Sequence, residues 1–198
     1  MEESTPRGIM ETRLLEFIKG MGNTFTELSY KTLKDGKERG ITFCEKDGAF
    51  SATKPCTGME CSVELMECDG IKVGSFHTHP PMPRPTPSHR IFSATDFQVA
   101  IMDGDRIMCV SEANRPKETI CVAMDADEML HDDEVMDKLL NALRSEEELW
   151  QKRGGLRTLE DYYLFFNLQR ANRERMRRFE SKARAKGLLR TAAIIEAG

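Results

Sequence analysis

Residues 71–80 read IKVGSFHTHP, a run of strong β propensity that ends in two histidines and a proline. The pair Asp69-Gly70 stands before it and is typical of a tight turn between strands. Residues 80–87, which follow this run, contain five prolines, and this excludes a helix or an inner strand there. We therefore predict a strand over 71–77, whose end carries the histidines into a long loop.

The segments on both sides of this strand alternate between strand and helix signals. A strand over 61–66 is predicted to pair with it as a hairpin, and Asp47-Gly48 is predicted to join another hairpin farther upstream. The other predicted elements are helices over 8–19, 21–33 and 93–102 and strands over 41–44, 49–53, 106–110 and 119–124. This order predicts an α/β domain over residues 1–125, with a mixed central sheet flanked by helices.

Beyond residue 125 the sequence changes to long, charged helical segments. Apolar positions recur at helical spacing over 127–152 and 158–186, and Gly154-Gly155 separates the two segments. Residues 126–198 are therefore predicted to form a helical C-terminal extension that is partly basic. Nine Lys or Arg against two Glu give residues 170–190 a charge of +7, although the whole chain carries −4.

Composition limits the class of protein. The chain has 198 residues, of which 39% are hydrophobic and 31% charged, a balance typical of a globular protein. No apolar run approaches the roughly 18 residues of a membrane-spanning helix, and the acidic, polar N-terminus does not resemble a secretory signal. We therefore expect a cytoplasmic protein without membrane contact, whose six cysteines are reduced thiols.

The two histidines at the strand end have the spacing of a metal clamp. Side chains two positions apart in a strand project from the same face, so His77 and His79 can approach one ion. Asp96, near the start of the helix after the proline loop, can add a carboxylate. Three protein ligands and a water are the pattern of a catalytic zinc site. Alternatively, backbone bonds satisfy the histidines, and Ser93 with Asp96 forms only a helix cap.

These residues also carry a resemblance to a known family. The segment His77-Thr78-His79-Pro80, followed by Ser93-Ala94-Thr95-Asp96, resembles the JAMM signature of the MPN-domain (JAB1/MPN/Mov34) zinc metalloproteases, His-x-His-Pro…Ser-x-x-Asp. Glu38, just ahead of Gly40 and an apolar strand, is similar to the glutamate that precedes the first strand in that family. The resemblance covers residues 8–125. It departs from the usual pattern in the thirteen residues that separate His79 from Ser93, more than the family usually has.

The resemblance implies a role for each matched residue. His77, His79 and Asp96 would bind zinc. Ser93 would hydrogen-bond the tetrahedral intermediate, and Glu38 would transfer a proton from the water to the leaving amine. The reaction would be hydrolysis of a peptide or isopeptide bond, typically at the C-terminal glycine of ubiquitin or a ubiquitin-like protein. The other upstream acids, which leave the identity of the base open, are Glu45, Glu60, Glu64 and Glu67.

Two other functions stay open on the sequence alone. A non-catalytic scaffold would assemble with partners through the helical extension, but it needs none of the candidate ligands. The basic segment 170–190 can contact nucleic acid, yet the lack of aromatic residues within its most basic part favours a solvated helix. The apolar cluster Tyr162–Phe166 is expected to pack against the core or a second copy. Homo-oligomerisation through the C-terminal helices is therefore a further hypothesis.

Overall fold

The computed structural model describes residues 6–58, 68–80, 92–153 and 155–196. Its helices are α1 (Pro6–Gly20), α2 (Gly22–Asp35), α3 (Ala94–Met102), α4 (Ala126–Leu130), α5 (Asp133–Arg153) and α6 (Leu159–Ala185). Its strands are β1 (Arg39–Lys46), β2 (Ala49–Ala52), β3 (Cys56–Thr57), β4 (Ile71–His79), β5 (Ile107–Glu112), β6 (Glu118–Met124) and β7 (Leu189–Glu196). The strand predicted over 61–66 and the proline loop beyond Pro80 lie outside the described residues.

The described strands form one mixed sheet, which confirms the predicted α/β class. Their order is β2-β1-β4-β5-β6-β7, and β3 pairs with β1. β1 is antiparallel to β2, β3 and β4, whereas β4 and β5 run parallel to each other. The predicted hairpin of β1 and β2 forms around Asp47 and Gly48, both of which have positive φ angles.

The chain divides into two compact units, of which the first contains residues 1–91, 104–124 and 191–198. Within this unit, α1 and α2 supply apolar side chains to a core shared with the sheet. Phe25 of α2 stacks on Phe76 of β4, with ring centroids 4.2 Å apart. Gly74 allows β4 to approach β5 closely, because a Cβ there would lie 2.2 Å from the backbone oxygen of Ile107. β4, the strand that ends in the histidines, is thus packed against α2 on one face and against β5 along one edge.

The second unit contains residues 92–103 and 125–190. In it, α5 and α6 run antiparallel, since Lys186 near the end of α6 binds Asp132 just before α5. Phe97 of α3 packs edge-on against Phe179 of α6, with ring centroids 5.0 Å apart. The buried side chains of α5 include Val135 and Leu139.

The C-terminal part differs from the prediction in two places. The helix expected over 127–152 is divided into α4 and α5, because His131 ends α4 and α5 begins at Asp133. The expectation of helix does not hold over Leu189–Glu196, which form strand β7. The buried residues Leu189, Ala193 and Ile195 are separated by even numbers of positions and therefore lie on one face of this strand.

Four of the six cysteines differ from the expectation of reduced thiols. Cys44 is bonded to Cys68, and Cys109 is bonded to Cys121. The second pair joins neighbouring strands, because the β5–β6 register places these two residues directly opposite each other. Cys56 is free. The expectation of thiols is therefore wrong for the bonded four. Among the described residues, no helix is both long and apolar enough to cross a membrane.

Candidate metal centre

The C-terminal end of β4 places two imidazoles on one face of the sheet. His77 and His79 are two positions apart, and their Nε2 atoms lie 3.1 Å apart. Both side chains are half-buried. On the neighbouring strand β1, Gly40 stands opposite His77, so this side of the pair faces a position without a side chain.

The N-terminus of α3 presents the candidate carboxylate. The Ser93 hydroxyl accepts a hydrogen bond from the Asp96 N–H at 3.1 Å, and Asp96 Oδ2 accepts one from the Ser93 N–H at 2.7 Å. This reciprocal capping box is what Ser-x-x-Asp predicts at a helix start. It fixes the rotamer of Asp96 and leaves its second carboxylate oxygen outside the cap.

A second acid holds this helix terminus in place. Glu146 of α5 accepts hydrogen bonds from the Ala94 N–H at 2.7 Å, from the Thr95 N–H at 3.3 Å and from the Thr95 hydroxyl at 2.7 Å. A negative charge at the positive end of a helix is stabilising. The Ser93 hydroxyl and the Glu146 carboxylate together accept hydrogen bonds from N–H groups in the first turn of α3, which have no partner within the helix.

The three predicted ligands come together. His77, His79 and Asp96 each offer one ligand atom, and these atoms all lie within 4.8 Å of one another. Two nitrogens bound to one tetrahedral zinc, each at about 2.0–2.1 Å from it, would be about 3.3 Å apart. The 3.1 Å between the two Nε2 atoms is close to that separation. Two imidazoles and one carboxylate are also a donor set that catalytic zinc sites use, so the residues fit the metal.

Glu38, the predicted base, lies in the turn between α2 and β1, and its side chain is exposed. The turn is closed by the Arg39 guanidinium, which is bound to both carboxylate oxygens of Asp35, at 3.0 and 2.6 Å. The same guanidinium donates to the Lys37 carbonyl at 3.0 Å, and Gly36 ends α2 with a φ of 71°. The backbone on both sides of Glu38 is thereby fixed.

Thr78, between the two histidines, ties this turn to β4. Its hydroxyl oxygen accepts from the Arg39 N–H at 2.9 Å and lies 2.6 Å from the hydroxyl of Thr32. Both threonines are fully buried, and the Arg39 residue is only 7% exposed. The Arg39 hydrogen bond also holds the pKa of the Asp35 carboxyl well below its ordinary value. The side chains on the opposite face of β4 from the histidines thus anchor the segment that carries Glu38.

Glu112 is a half-buried acid beside the histidines. It pairs with His79 in the parallel register of β4 and β5. Burial raises the pKa of Glu112, and the positive field of His79 partly opposes that rise. Glu112 therefore adds a carboxyl next to the candidate ligands.

Glu146, Arg39, Thr78 and Glu112 belong to the site but are not among the site residues predicted from the sequence. Glu146 lies among three consecutive glutamates of an amphipathic helix, and only the fold distinguishes it from Glu147 and Glu148. An Asp-to-Arg spacing of four residues across Gly36 could have indicated the closed turn.

Four of the nine basic residues in segment 170–190 form ion pairs with nearby acids. Arg177 and Arg178 contact Glu174, with nitrogen–oxygen distances of 3.8 and 3.4 Å. Lys182 binds Glu134, and Lys186 binds Asp132. These pairs favour the solvated helix over a nucleic-acid surface.

Comparisons of the chain with models of known protein families, with characterised proteins and with solved structures find no match. The function must therefore be argued from the site itself.

Proposed function

We propose that this chain is a zinc-dependent hydrolase of the JAMM type, which cleaves a peptide or isopeptide bond in the tail of a protein substrate. The observation that carries the proposal is the approach of three ligand atoms, from His77, His79 and Asp96, to within 4.8 Å. A scaffold without catalysis has no need of such a donor set. The ubiquitin-like character of the substrate rests on the resemblance alone.

Zinc, when bound, would act as a Lewis acid that polarises the scissile carbonyl and makes hydroxide available at neutral pH. The protein's part in holding it would be preorganisation. The capping box already fixes Asp96, and the strand spacing already fixes the two imidazoles. Little conformational freedom would therefore be lost when the metal binds.

Glu38 is the proposed general base. β1 pairs Gly40 with His77, so extending the register by two residues would put Glu38 opposite His79. Residues opposite each other in an antiparallel pair share a face of the sheet. From there the Glu38 carboxylate would hold the proton given up by the attacking water and pass it to the leaving amine.

Ser93 would stabilise the charge that develops on the substrate. Its hydroxyl oxygen accepts from the Asp96 N–H, and the hydroxyl hydrogen can still donate. A donor aimed at the developing oxyanion is typically worth about 10²–10³ in rate. Since the cap fixes the oxygen, this donor would need no reorganisation during the reaction.

The proposal is tested with ubiquitin joined through its C-terminal glycine to a lysine-containing peptide. The zinc-loaded protein is expected to release the peptide, and chelation should abolish release until zinc is restored. A linear peptide amide is assayed in parallel to separate isopeptidase from general peptidase activity. A protein that binds zinc but cleaves neither substrate would contradict hydrolysis and favour the scaffold.

A further inference from the structure

The first half of α6 carries an apolar stripe that no described residue of its own unit covers. Leu159, Tyr162, Tyr163 and Phe166 are 90%, 45%, 71% and 46% exposed, respectively. They occupy positions i, i+3, i+4 and i+7 and therefore share one helix face. The expectation that this cluster packs against the core does not hold. Buried residues of α6 begin only at Met176.

The exposed apolar area of this stripe is comparable to the apolar area that one partner buries in a standard protein interface. Large side chains of this kind carry about 200 Å² each, so the exposed fractions leave roughly 500 Å² of apolar surface. A standard interface buries about 800 Å² per partner, somewhat over half of it apolar. The stripe alone would provide that apolar share.

We propose that the stripe, defined as Leu159, Tyr162, Tyr163 and Phe166, binds the same stripe of a second copy of this chain in an antiparallel, two-fold symmetric pair. The spacing i, i+3, i+4, i+7 reads the same in both directions along the helix, so the stripe is complementary to itself in an antiparallel pair. A two-fold axis beside Tyr162 and Tyr163 places each of them opposite the other in the second copy, and Leu159 opposite Phe166.

Charge favours a second copy and the antiparallel direction. Two acids and two arginines lie between residues 157 and 170, so this part of the surface is neutral and does not repel itself. The strongly basic residues follow from Arg173 onward. An antiparallel pair separates the two basic halves, whereas a parallel pair would bring them side by side, which is unfavourable.

Sedimentation of the full chain over a concentration series tests the association. The wild type is expected to dimerise reversibly, and Tyr163→Glu should weaken the dimer by roughly a hundredfold or more, since each copy would bury a charge against the apolar stripe of the other. Ile71→Glu is the matched control, because Ile71 is a similarly exposed apolar residue, at 62%, but lies on β4. It should leave the dimer intact, and circular dichroism should show both variants folded.

The direction is tested by mixing Leu159→Cys with Phe166→Cys protein under mild oxidation. A bridge between the two variants, identified by peptide mapping, is expected to exceed bridges within either variant alone. A monomeric wild type would overturn the proposal, and so would a dimer that survives Tyr163→Glu. A monomer whose stripe binds phosphatidylcholine vesicles would also overturn it, in favour of a membrane surface. The metal centre enters none of these outcomes.

Discussion

The carboxylate of Glu146 accepts a hydrogen bond from the backbone N–H of Ala94 at 2.7 Å, two residues before the candidate ligand Asp96. A charged side chain of α5 thus fixes the helix terminus from which one metal ligand projects. The contact lies within the second compact unit, where it joins α5 to the start of α3. It gives the extension a role in the site that does not depend on a partner.

Replacing Glu146 by Ala should destabilise the protein by about 1–3 kcal/mol, because the Ala94 and Thr95 N–H groups lose a charged acceptor. Urea unfolding of the variant measures this. Glu148→Ala is the control, since Glu148 is exposed on the same helix, and it should change stability little. Equal midpoints for the wild type and Glu146→Ala would contradict the capping role.

Replacing Glu38 by Gln should leave zinc binding intact and lower the rate of hydrolysis by about 10²–10⁴-fold. Gln keeps the size of Glu but cannot accept the proton. Glu45→Gln is the matched control and should retain activity, because Glu45 Oε1 already accepts from the Gly48 N–H at 2.8 Å. If Glu45→Gln were inactive and Glu38→Gln active, the base would be Glu45.

The Asp35–Arg39 pair predicts a specific loss of stability in acid. The Arg39 hydrogen bond lowers the pKa of the Asp35 carboxyl from its ordinary 3.8. A lowered carboxyl pKa stabilises the fold above the unfolded value, and this contribution is lost as the pH falls below about 4. In Asp35→Asn the free energy of unfolding should therefore decline less steeply below that pH.

Urea unfolding between pH 7 and pH 3 measures this difference. Glu16→Gln is the control, since Glu16 is exposed on α1 and makes no ion pair within the described part of the chain. It should follow the wild-type curve. Parallel curves for the wild type and Asp35→Asn would show that the closed turn contributes nothing to stability in acid.

The disulfides predict which of the five described cysteines react with an alkylating agent in unreduced protein; Cys61 lies outside the described residues. Cys44, Cys68, Cys109 and Cys121 should be protected, because they are bonded in pairs. Cys56 should be modified. Mass spectrometry of the alkylated, unfolded protein locates the modified sites. Modification of Cys109 and Cys121 without reductant would instead support the thiols expected from the sequence.

Local sequence signals predicted much of the sheet and of the site. Asp47-Gly48 predicted the first hairpin, and the alternation around His77 and His79 predicted a strand end with two imidazoles on one face. Ser93 with Asp96 predicted a capping box, which the structure confirms. In each case the signal depends on residues a few positions apart, which a single sequence displays.

The features of the fold and the site that the sequence does not predict depend on contacts between residues far apart in the chain. Glu146 and Ala94 are 52 positions apart, and nothing in their local sequence indicates the pairing. The bond between Cys109 and Cys121 follows from the β5–β6 register, which a strand prediction does not specify. The sequence does not reveal β7, because its short apolar run directly follows a long basic helix.

The metal content of the purified protein tests the central claim most directly. Elemental analysis should find about one zinc per wild-type chain, lost in His77→Ala and in Asp96→Ala. His131→Ala is the matched control, because His131 is an exposed histidine at the end of α4, and it should keep the metal. A wild type that holds no zinc, even after zinc is added and the excess dialysed away, would contradict the proposed centre.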